Sequence, residues 1–313
     1  MEINSLNFFI LFLDTVKWGG FFDPGQLMPD TMVYNHWQKH SSEREIIYIN
    51  SIILEFGTKY FSNIAHELVH MLTWNYDHSP EPINNPEVYW EDSWINEAWS
   101  GFGTAYLNYD FIPFGPDIEY SNDPKISFFN SSENLLLFYY LFDNYGVWDF
   151  NSALLKNQIN GMEGVENTLN ELGYNKSFDD FFEDYVIANY INDTNYADGL
   201  YSYKSINVIS CFNSSEKKCT GAKLGLYEGQ LASYAKDYFF FDLQAEYPFP
   251  IQFYADENSK FRGFSWTRRD APPAAIYSAI AATSPITRDF DIHFIPPFSC
   301  VSIASTGWLC RPG

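Results

Sequence analysis

Residues 64–74, IAHELVHMLTW, place two histidines four positions apart and a glutamate directly after the first histidine. An α-helix turns by about 100° per residue, so side chains at positions i and i+4 lie on the same face. His66 and His70 can therefore direct their imidazole nitrogens at one metal ion. Glu67 projects from the adjacent flank, where a carboxylate can contact a water on the metal without being a ligand.

The residues around the two histidines favour a helix over about 60–74. The spacing i, i+3, i+4, i+7 predicts an apolar stripe opposite the histidines, formed by Ala65, Leu68, Val69 and Leu72. We expect Ser62 or Asn63 to cap the helix N-terminus. Because so short a motif also arises by chance, a helix without a metal site is the alternative interpretation.

A third ligand is expected from residues 91–103, EDSWINEAWSGFG, where Glu97 stands between Trp94 and Trp99. Burying a carboxylate among aromatic rings is costly unless the group is paired or bound to a metal. Two histidines and one glutamate, with a fourth position left for water, are the ligands of catalytic rather than structural zinc sites. The alternative is that Glu97 is a helix-surface residue among exposed aromatics.

An H-E-x-x-H motif followed by a second helix with N-E-x-x-S resembles the gluzincin clan of zinc metallopeptidases. More narrowly, the chain resembles the hyicolysin-type family of bacterial metallopeptidases over about residues 7 to 195. The resemblance is carried by FFILFLDTVKWGGFFDPGQL, REIIYINS, AHELVHMLTWN, SWINEAWS and FDDFFEDYVIANYIND. It implies a zincin-like catalytic domain in which His66, His70 and Glu97 bind Zn²⁺ and Glu67 is the general base.

Two positions depart from the pattern of the gluzincins. Many of them have an aspartate four residues after the ligand glutamate to orient a zinc histidine, whereas this chain has Gly101. Another group must then fix the imidazole. Many also place an oxyanion-stabilising tyrosine at the start of the next long helix, where this chain has none, and the substitutes to consider are Tyr89, Tyr106 and Tyr120.

The composition excludes some classes of function. A net charge of −22 disfavours nucleic-acid binding, because phosphate contacts need a basic surface. The longest early apolar run, FFILFL, has six residues, far fewer than the roughly twenty of a membrane-spanning helix. The start of the chain lacks the basic region of a secretory signal. We nevertheless expect a secreted or cell-surface protein whose signal segment is not part of this sequence.

The cysteines are the reason for that expected location. There are four of them, in two sequence-local pairs remote from the zinc motif, which is typical of disulfides that close short loops. Three pairings are open, and we favour Cys211–Cys219 with Cys300–Cys310. Four free buried thiols in a cytoplasmic protein are the alternative.

The succession of patterns predicts an α+β protein with two domains. A metallopeptidase domain is expected at 1–198, and a smaller β-rich domain containing all four cysteines at 199–313. In the first domain, strands are predicted at 7–13 and 45–52. Helices are predicted at 92–108, 132–145, 148–158, 162–172 and 177–192. His78 and His293 are expected to be a loop residue and a solvent-facing strand residue, respectively.

Together these features predict a zinc-dependent metallopeptidase that acts on protein or peptide substrates. The alternative from another class is a catalytically weak or inactive surface protein, similar to an adhesin, that keeps zinc for stability and binds through its aromatic C-terminal region. An epoxide or ester hydrolase on the same scaffold is a third reading, because it would share the activation of water by zinc.

Overall fold

The computed structural model describes residues 8–14, 19–52, 59–77, 91–107, 129, 133–206, 217–219, 226–242, 251–255, 261–266, 275–282 and 288–294. These residues form a mixed α+β structure, so the predicted α+β class is confirmed. They belong to two compact units, one drawn from Met1–Gly115 and Asn134–Phe178 and the other from Pro116–Glu133 and Asp179–Gly313. The predicted boundary between residues 198 and 199 stays a prediction.

Seven α-helices lie in the described part of the chain. They are α1 (Asp30–Trp37), α2 (Lys59–Asp77), α3 (Ser93–Tyr106), α4 (Glu133–Tyr145), α5 (Val147–Leu154), α6 (Gly161–Glu171) and α7 (Phe178–Ile191). All the helices expected from the sequence are present, with ends that differ by a few residues. Helix α1 was not predicted, because its polar sequence and the proline before it are typical of a turn.

A three-stranded sheet lies beside the histidine helix, in the order β1, β3, β2. Its strands are β1 (Phe9–Leu13), β2 (Gly20–Phe22) and β3 (Ile46–Asn50). Strand β1 pairs with β3 in parallel, and β2 pairs with β3 antiparallel with Gly20 opposite Ile49. The strands predicted at 7–13 and 45–52 are confirmed. The buried Ile47 and Ile49 of β3 belong to the core of this unit.

Helix α2 lies against β2 and β3 on one side and against α3 on the other. Of the predicted apolar stripe, Ala65 is buried and Leu68, Val69 and Leu72 are half-buried, while His70 and Met71 are buried as well. The predicted cap was wrong, because the helix begins at Lys59, and Ser62 and Asn63 therefore lie within its first turns. A helix between two neighbours buries residues on two sides, which a single apolar stripe does not reveal.

The close contact of α2 with α3 depends on Gly103. A Cβ atom at this position would lie 2.7 Å from Cγ2 of Val69, closer than real Cβ contacts allow. Small residues at a helix interface let the two backbones approach each other, and here they bring the glutamate of α3 to the histidines of α2. Trp94, Ile95 and Trp99 of the same helix are buried.

The second unit contains the remaining strands of the described residues. They are β4 (Lys217–Cys219), β5 (Leu226–Leu231), β6 (Lys236–Asp242), β7 (Ile251–Ala255), β8 (Phe261–Trp266), β9 (Ala275–Ala282) and β10 (Arg288–Phe294). One sheet has the order β5, β10, β7, and the other has the order β4, β6, β9, β8. In the ranges that the structure describes, no helix is both long and apolar enough to cross a membrane.

Several predictions concern residues beyond the described ranges. Cys211, Cys300, Cys310 and His78 lie outside them, and Cys219 and His293 are described only as backbone positions in β4 and β10. The two disulfide pairs therefore stay predictions.

Candidate metal centre

Two helices bring the three predicted ligands together. His66 and His70 lie one turn apart on α2, and Glu97 faces them from α3. The Nε2 atoms of His66 and His70 are 3.0 Å apart. Oε2 of Glu97 lies 3.3 Å from Nε2 of His66, and Oε1 lies 3.7 Å from Nε2 of His70. Among the described residues, these three form the one group whose ligand atoms converge closely enough to hold a metal ion.

The spacing of these atoms fits a zinc ion. Ligand bonds of about 2.05 Å in tetrahedral geometry separate neighbouring ligand atoms by about 3.3 Å. The two imidazole nitrogens are 3.0 Å apart, and each lies within 3.7 Å of one of the two Glu97 oxygens, which is the range expected of groups around one zinc ion. Imidazole nitrogens and a carboxylate are also the donor types that zinc prefers. His66, His70 and Glu97 therefore suit zinc in both chemistry and distance.

The exposure of the three side chains differs from the prediction made for Glu97. The Glu97 side chain is 59% exposed, compared with 25% for His66 and 10% for His70. The two tryptophans that were expected to surround its carboxylate turn inwards instead. The Trp99 indole donates to Oδ1 of Asn151, and the Trp94 ring packs on Phe178. The group is open on the carboxylate side, which leaves room for a further ligand.

The ionisation of Glu97 and His70 suits metal binding. The hydrogen bond with His66 lowers the pKa of Glu97, so this carboxylate is ionised at neutral pH. Burial lowers the pKa of His70, and the nearby His66 lowers it further. A neutral imidazole keeps a lone pair on one nitrogen, which is the form that a metal requires.

The inner nitrogen of His70 is held by two polar side chains of α3. Nδ1 of His70 lies 2.9 Å from Oδ1 of Asn96 and 2.9 Å from Oγ of the fully buried Ser100. Thr73 is within hydrogen-bond distance of the same Asn96 oxygen, at 3.1 Å. The amide oxygen can only accept, so Nδ1 carries the proton and donates to it. Nε2 then has its lone pair free on the side of His66 and Glu97.

These contacts show which groups orient a histidine ring when position 101 is glycine rather than aspartate. A Cβ atom on Gly101 would face the side chain of Leu135 on α4, 3.4 Å away. The position therefore points into helix packing, and Asn96 and Ser100 orient a histidine in place of an aspartate. Both residues belong to the N-E-x-x-S motif, but the sequence alone indicated no role for them. Their spacing of four, on either side of Glu97, is the pattern that places them on one helix face.

Glu67 is buried beside the three ligands, with 6% of its surface exposed. Burial raises the pKa of its carboxyl to about 7, with a further contribution from the negative Glu97. The nearby His66 and the backbone N–H of Phe22 on β2 act in the opposite direction and lower the pKa of Glu67. A carboxyl whose pKa lies near neutral pH can both accept and release a proton.

None of the three tyrosines considered as oxyanion-stabilising residues is placed at the candidate site by the described residues. Tyr89 and Tyr120 lie outside the described residues. Tyr106 lies nine residues after Glu97 on α3, about 13 Å further along the helix axis. Its ring packs on Phe102 and Trp148, too far away to contact a group bound at Glu97.

Comparison with known proteins adds no assignment: no protein-family model matches this chain, and no curated protein matches it significantly.

Proposed function

We propose that this protein is a zinc-dependent metallopeptidase of the gluzincin type, which hydrolyses peptide bonds with Glu67 as general base. The proposal includes the zincin-like architecture of its first domain and the resemblance to hyicolysin-type peptidases. The observation that carries it is the position of Glu67. This carboxylate is buried next to His66, His70 and Glu97 but is not one of the converging ligand groups.

The chemistry of the site follows from its side chains. His66, His70 and Glu97 would hold the zinc ion, and zinc would supply Lewis-acid activation of water and of the scissile carbonyl. Glu67 accepts a proton from the attacking water as the new C–O bond forms. It then donates that proton to the amine nitrogen as the C–N bond breaks. The Phe22 amide and the burial of Glu67 keep this carboxylate at the site.

Two observations support catalysis over a purely structural zinc. Structural zinc sites are closed by four protein ligands, whereas three protein groups converge among the residues that the structure describes, and the Glu97 side chain is 59% exposed. A structural site also has no need of an additional buried carboxyl with a pKa of about 7. Both features favour the peptidase over the adhesin-like alternative.

The substrate and setting follow from the same proposal. A site that is open at Glu97 and bordered by a short β-strand suits an extended polypeptide, which can lie along a strand edge. We place the protein outside the cell or on its surface, where protein substrates and the proposed disulfides occur together.

The test is cleavage of unfolded protein substrates by the zinc-loaded chain and by Glu67→Gln. The variant keeps the size of the side chain and removes the base, so we expect zinc to stay bound while turnover falls by about three orders of magnitude or more. Glu163→Gln is the matched control, because Glu163 is exposed on α6. Full turnover by Glu67→Gln would overturn the proposed function.

A further inference from the structure

Strand β2 and the residue before it pack closely against one face of helix α2, which carries the two histidines. Gly19 faces Asn63 of α2, and Gly20 faces Glu67, one helical turn further on. The Phe22 side chain belongs to an apolar cluster with Trp74, which is also on α2. Positions 63, 67 and 74 lie on the same face of a helix. The strand is therefore placed along the face that carries the general base.

Only glycine fits at the point where β2 passes Glu67. A Cβ atom on Gly20 would lie 2.8 Å from the backbone oxygen of Tyr48 and 3.1 Å from Cγ of Glu67. The first distance is shorter than real Cβ contacts, and a paired backbone carbonyl cannot move aside as the end of a side chain can. On Gly19, a Cβ atom would lie 2.1 Å from Oδ1 of Asn63, which is a side-chain atom.

This close approach brings a backbone donor to the base. The backbone N–H of Phe22, two residues after Gly20, lowers the pKa of the Glu67 carboxyl, as a donor close to a carboxylate does. Phe22 stands opposite Ile47 in the β2–β3 pairing, so its position is fixed by the sheet. A carboxylate with one oxygen held by a fixed N–H presents its other oxygen in a defined direction.

We propose that Gly20, assisted by Gly19, is a positioning residue for the general base. Gly20 lets β2 lie against α2, and this placement brings the Phe22 amide to one oxygen of the Glu67 carboxylate. The other oxygen is then available to accept the proton of the attacking water. This inference rests on the proposed function, in which Glu67 is the base. It gives β2 a role in the reaction that is separate from metal binding.

The first experiment compares Gly20→Ala with Gly101→Ala in the full-length protein. The added methyl group of Gly20→Ala moves β2 away from Glu67, so we expect kcat to fall about ten- to hundredfold. KM and zinc affinity should stay within about twofold of wild type, since no ligand of the metal is touched. Gly101→Ala is the matched control, because a methyl group there makes only ordinary contact with Leu135, and its kcat should not change.

A second pair of variants covers the outcome that Gly20→Ala does not fold. Gly19→Ala should lower kcat to a smaller extent, and removal of the opposing side chain in Gly19→Ala/Asn63→Ala should restore it, because the clash is between these two side chains. Unchanged kcat in Gly20→Ala overturns the proposal. So does a loss of zinc affinity in step with kcat, or a double variant as slow as the single one.

A readout without turnover separates this inference from the proposed function. In protein labelled with ¹⁵N-phenylalanine, the Phe22 amide proton should shift upfield in Glu67→Ala, because its charged acceptor is lost, but stay in place in Glu163→Gln. If this shift is seen and wild type cleaves no peptide, the proposed function fails and the contact stands. If wild type cleaves peptides and the Phe22 amide does not respond to Glu67→Ala, the inference fails.

Discussion

Oδ1 of Asn96 lies 2.9 Å from Nδ1 of His70, on the far side of the imidazole from Nε2, which faces His66 and Glu97. Asn96 directly precedes Glu97 on α3, so one helix supplies both a proposed metal ligand and the group that orients His70, another proposed ligand. The helix must therefore be placed correctly for both functions at once, and the packing of α3 on α2 determines the geometry of the whole site.

The first prediction concerns this contact. Asn96→Ala removes the acceptor for Nδ1 of His70 and should weaken zinc binding by about 10- to 100-fold, because the imidazole loses its preferred tautomer and orientation. Competition with a chromophoric chelator measures the affinity. Asn170→Ala, at an exposed position on α6, is the control and should bind zinc as wild type does. An Asn96→Ala variant with wild-type affinity would show that Ser100 alone orients the ring.

The second prediction concerns the position at which many gluzincins have aspartate. Gly101→Asp should not strengthen zinc binding, because its side chain would point at Leu135 rather than at a histidine. A buried carboxylate against leucine should lower the free energy of unfolding by about 3 kcal/mol. Urea denaturation of Gly101→Asp and Gly101→Ala measures the difference. Tighter zinc binding by the aspartate variant would contradict the orientation described for this position.

The third prediction concerns the contact between the two site helices. Gly103→Ala should destabilise the protein by about 1–3 kcal/mol, although alanine is the better helix former, because the new methyl group meets Val69. Valine is stiff in a helix and cannot easily turn away. Gly103→Ala/Val69→Ala should recover part of the loss in thermal denaturation. Gly101→Ala is the control on the same helix, and equal stability of the two single variants would contradict the close packing.

How much of this site was predictable depends on the range of the interactions. The positions of His66 and His70 on one helix face follow from local periodicity, and so the helix was predicted nearly to its ends. The link from α2 to Glu97 is a tertiary contact, which the sequence suggested through the aromatic neighbours of Glu97, the ligand set of catalytic zinc sites and the resemblance to a family. The burial of α2 depends on two neighbours at once, so the apolar stripe alone does not indicate that His70 and Met71 are buried as well.

The roles of Asn96 and Gly20 could not be predicted from the sequence, again because they depend on tertiary contacts. Both depend on what lies opposite them in space: an imidazole nitrogen for Asn96, and a helix face for Gly20. In the sequence, the Gly19–Gly20 pair indicates no more than a turn, since glycine is frequent in turns. Close approach of two backbones is a second reason for glycine, and it becomes visible only when the neighbouring element is known.

The fourth prediction concerns Glu91, a buried acid outside the metal centre. Its Oε1 accepts two hydrogen bonds of 2.7 Å, from the backbone N–H groups of Asp92 and Gly161. In the described part of the chain, no hydrogen bond to its buried Oε2 is formed. Burial raises the pKa of Glu91 from 4.5 to about 8, and the carboxyl is therefore protonated in the folded protein at neutral pH.

The sign of the pH effect follows from this raised pKa. The folded state holds a proton that the unfolded state releases above about pH 4.5, so this contribution to stability is complete below that pH and is lost as pH rises toward about 8. Glu91→Gln does not titrate and should gain about 3–4 kcal/mol relative to wild type between about pH 5 and pH 8. Thermal denaturation at both pH values measures this gain. The exposed Glu163→Gln should show no such gain, and parallel curves for Glu91→Gln and wild type would contradict the prediction.

The most direct test of the central claim is the amount of zinc bound per chain, measured by elemental analysis on wild type and on Glu97→Ala after dialysis against a limited zinc supply. We predict about one zinc per wild-type chain and a large loss in the variant, because a three-ligand site loses one of its three protein groups. Wild-type protein that retains no zinc would contradict the claim. His66, Glu67 and His70 would then belong to an ordinary helix.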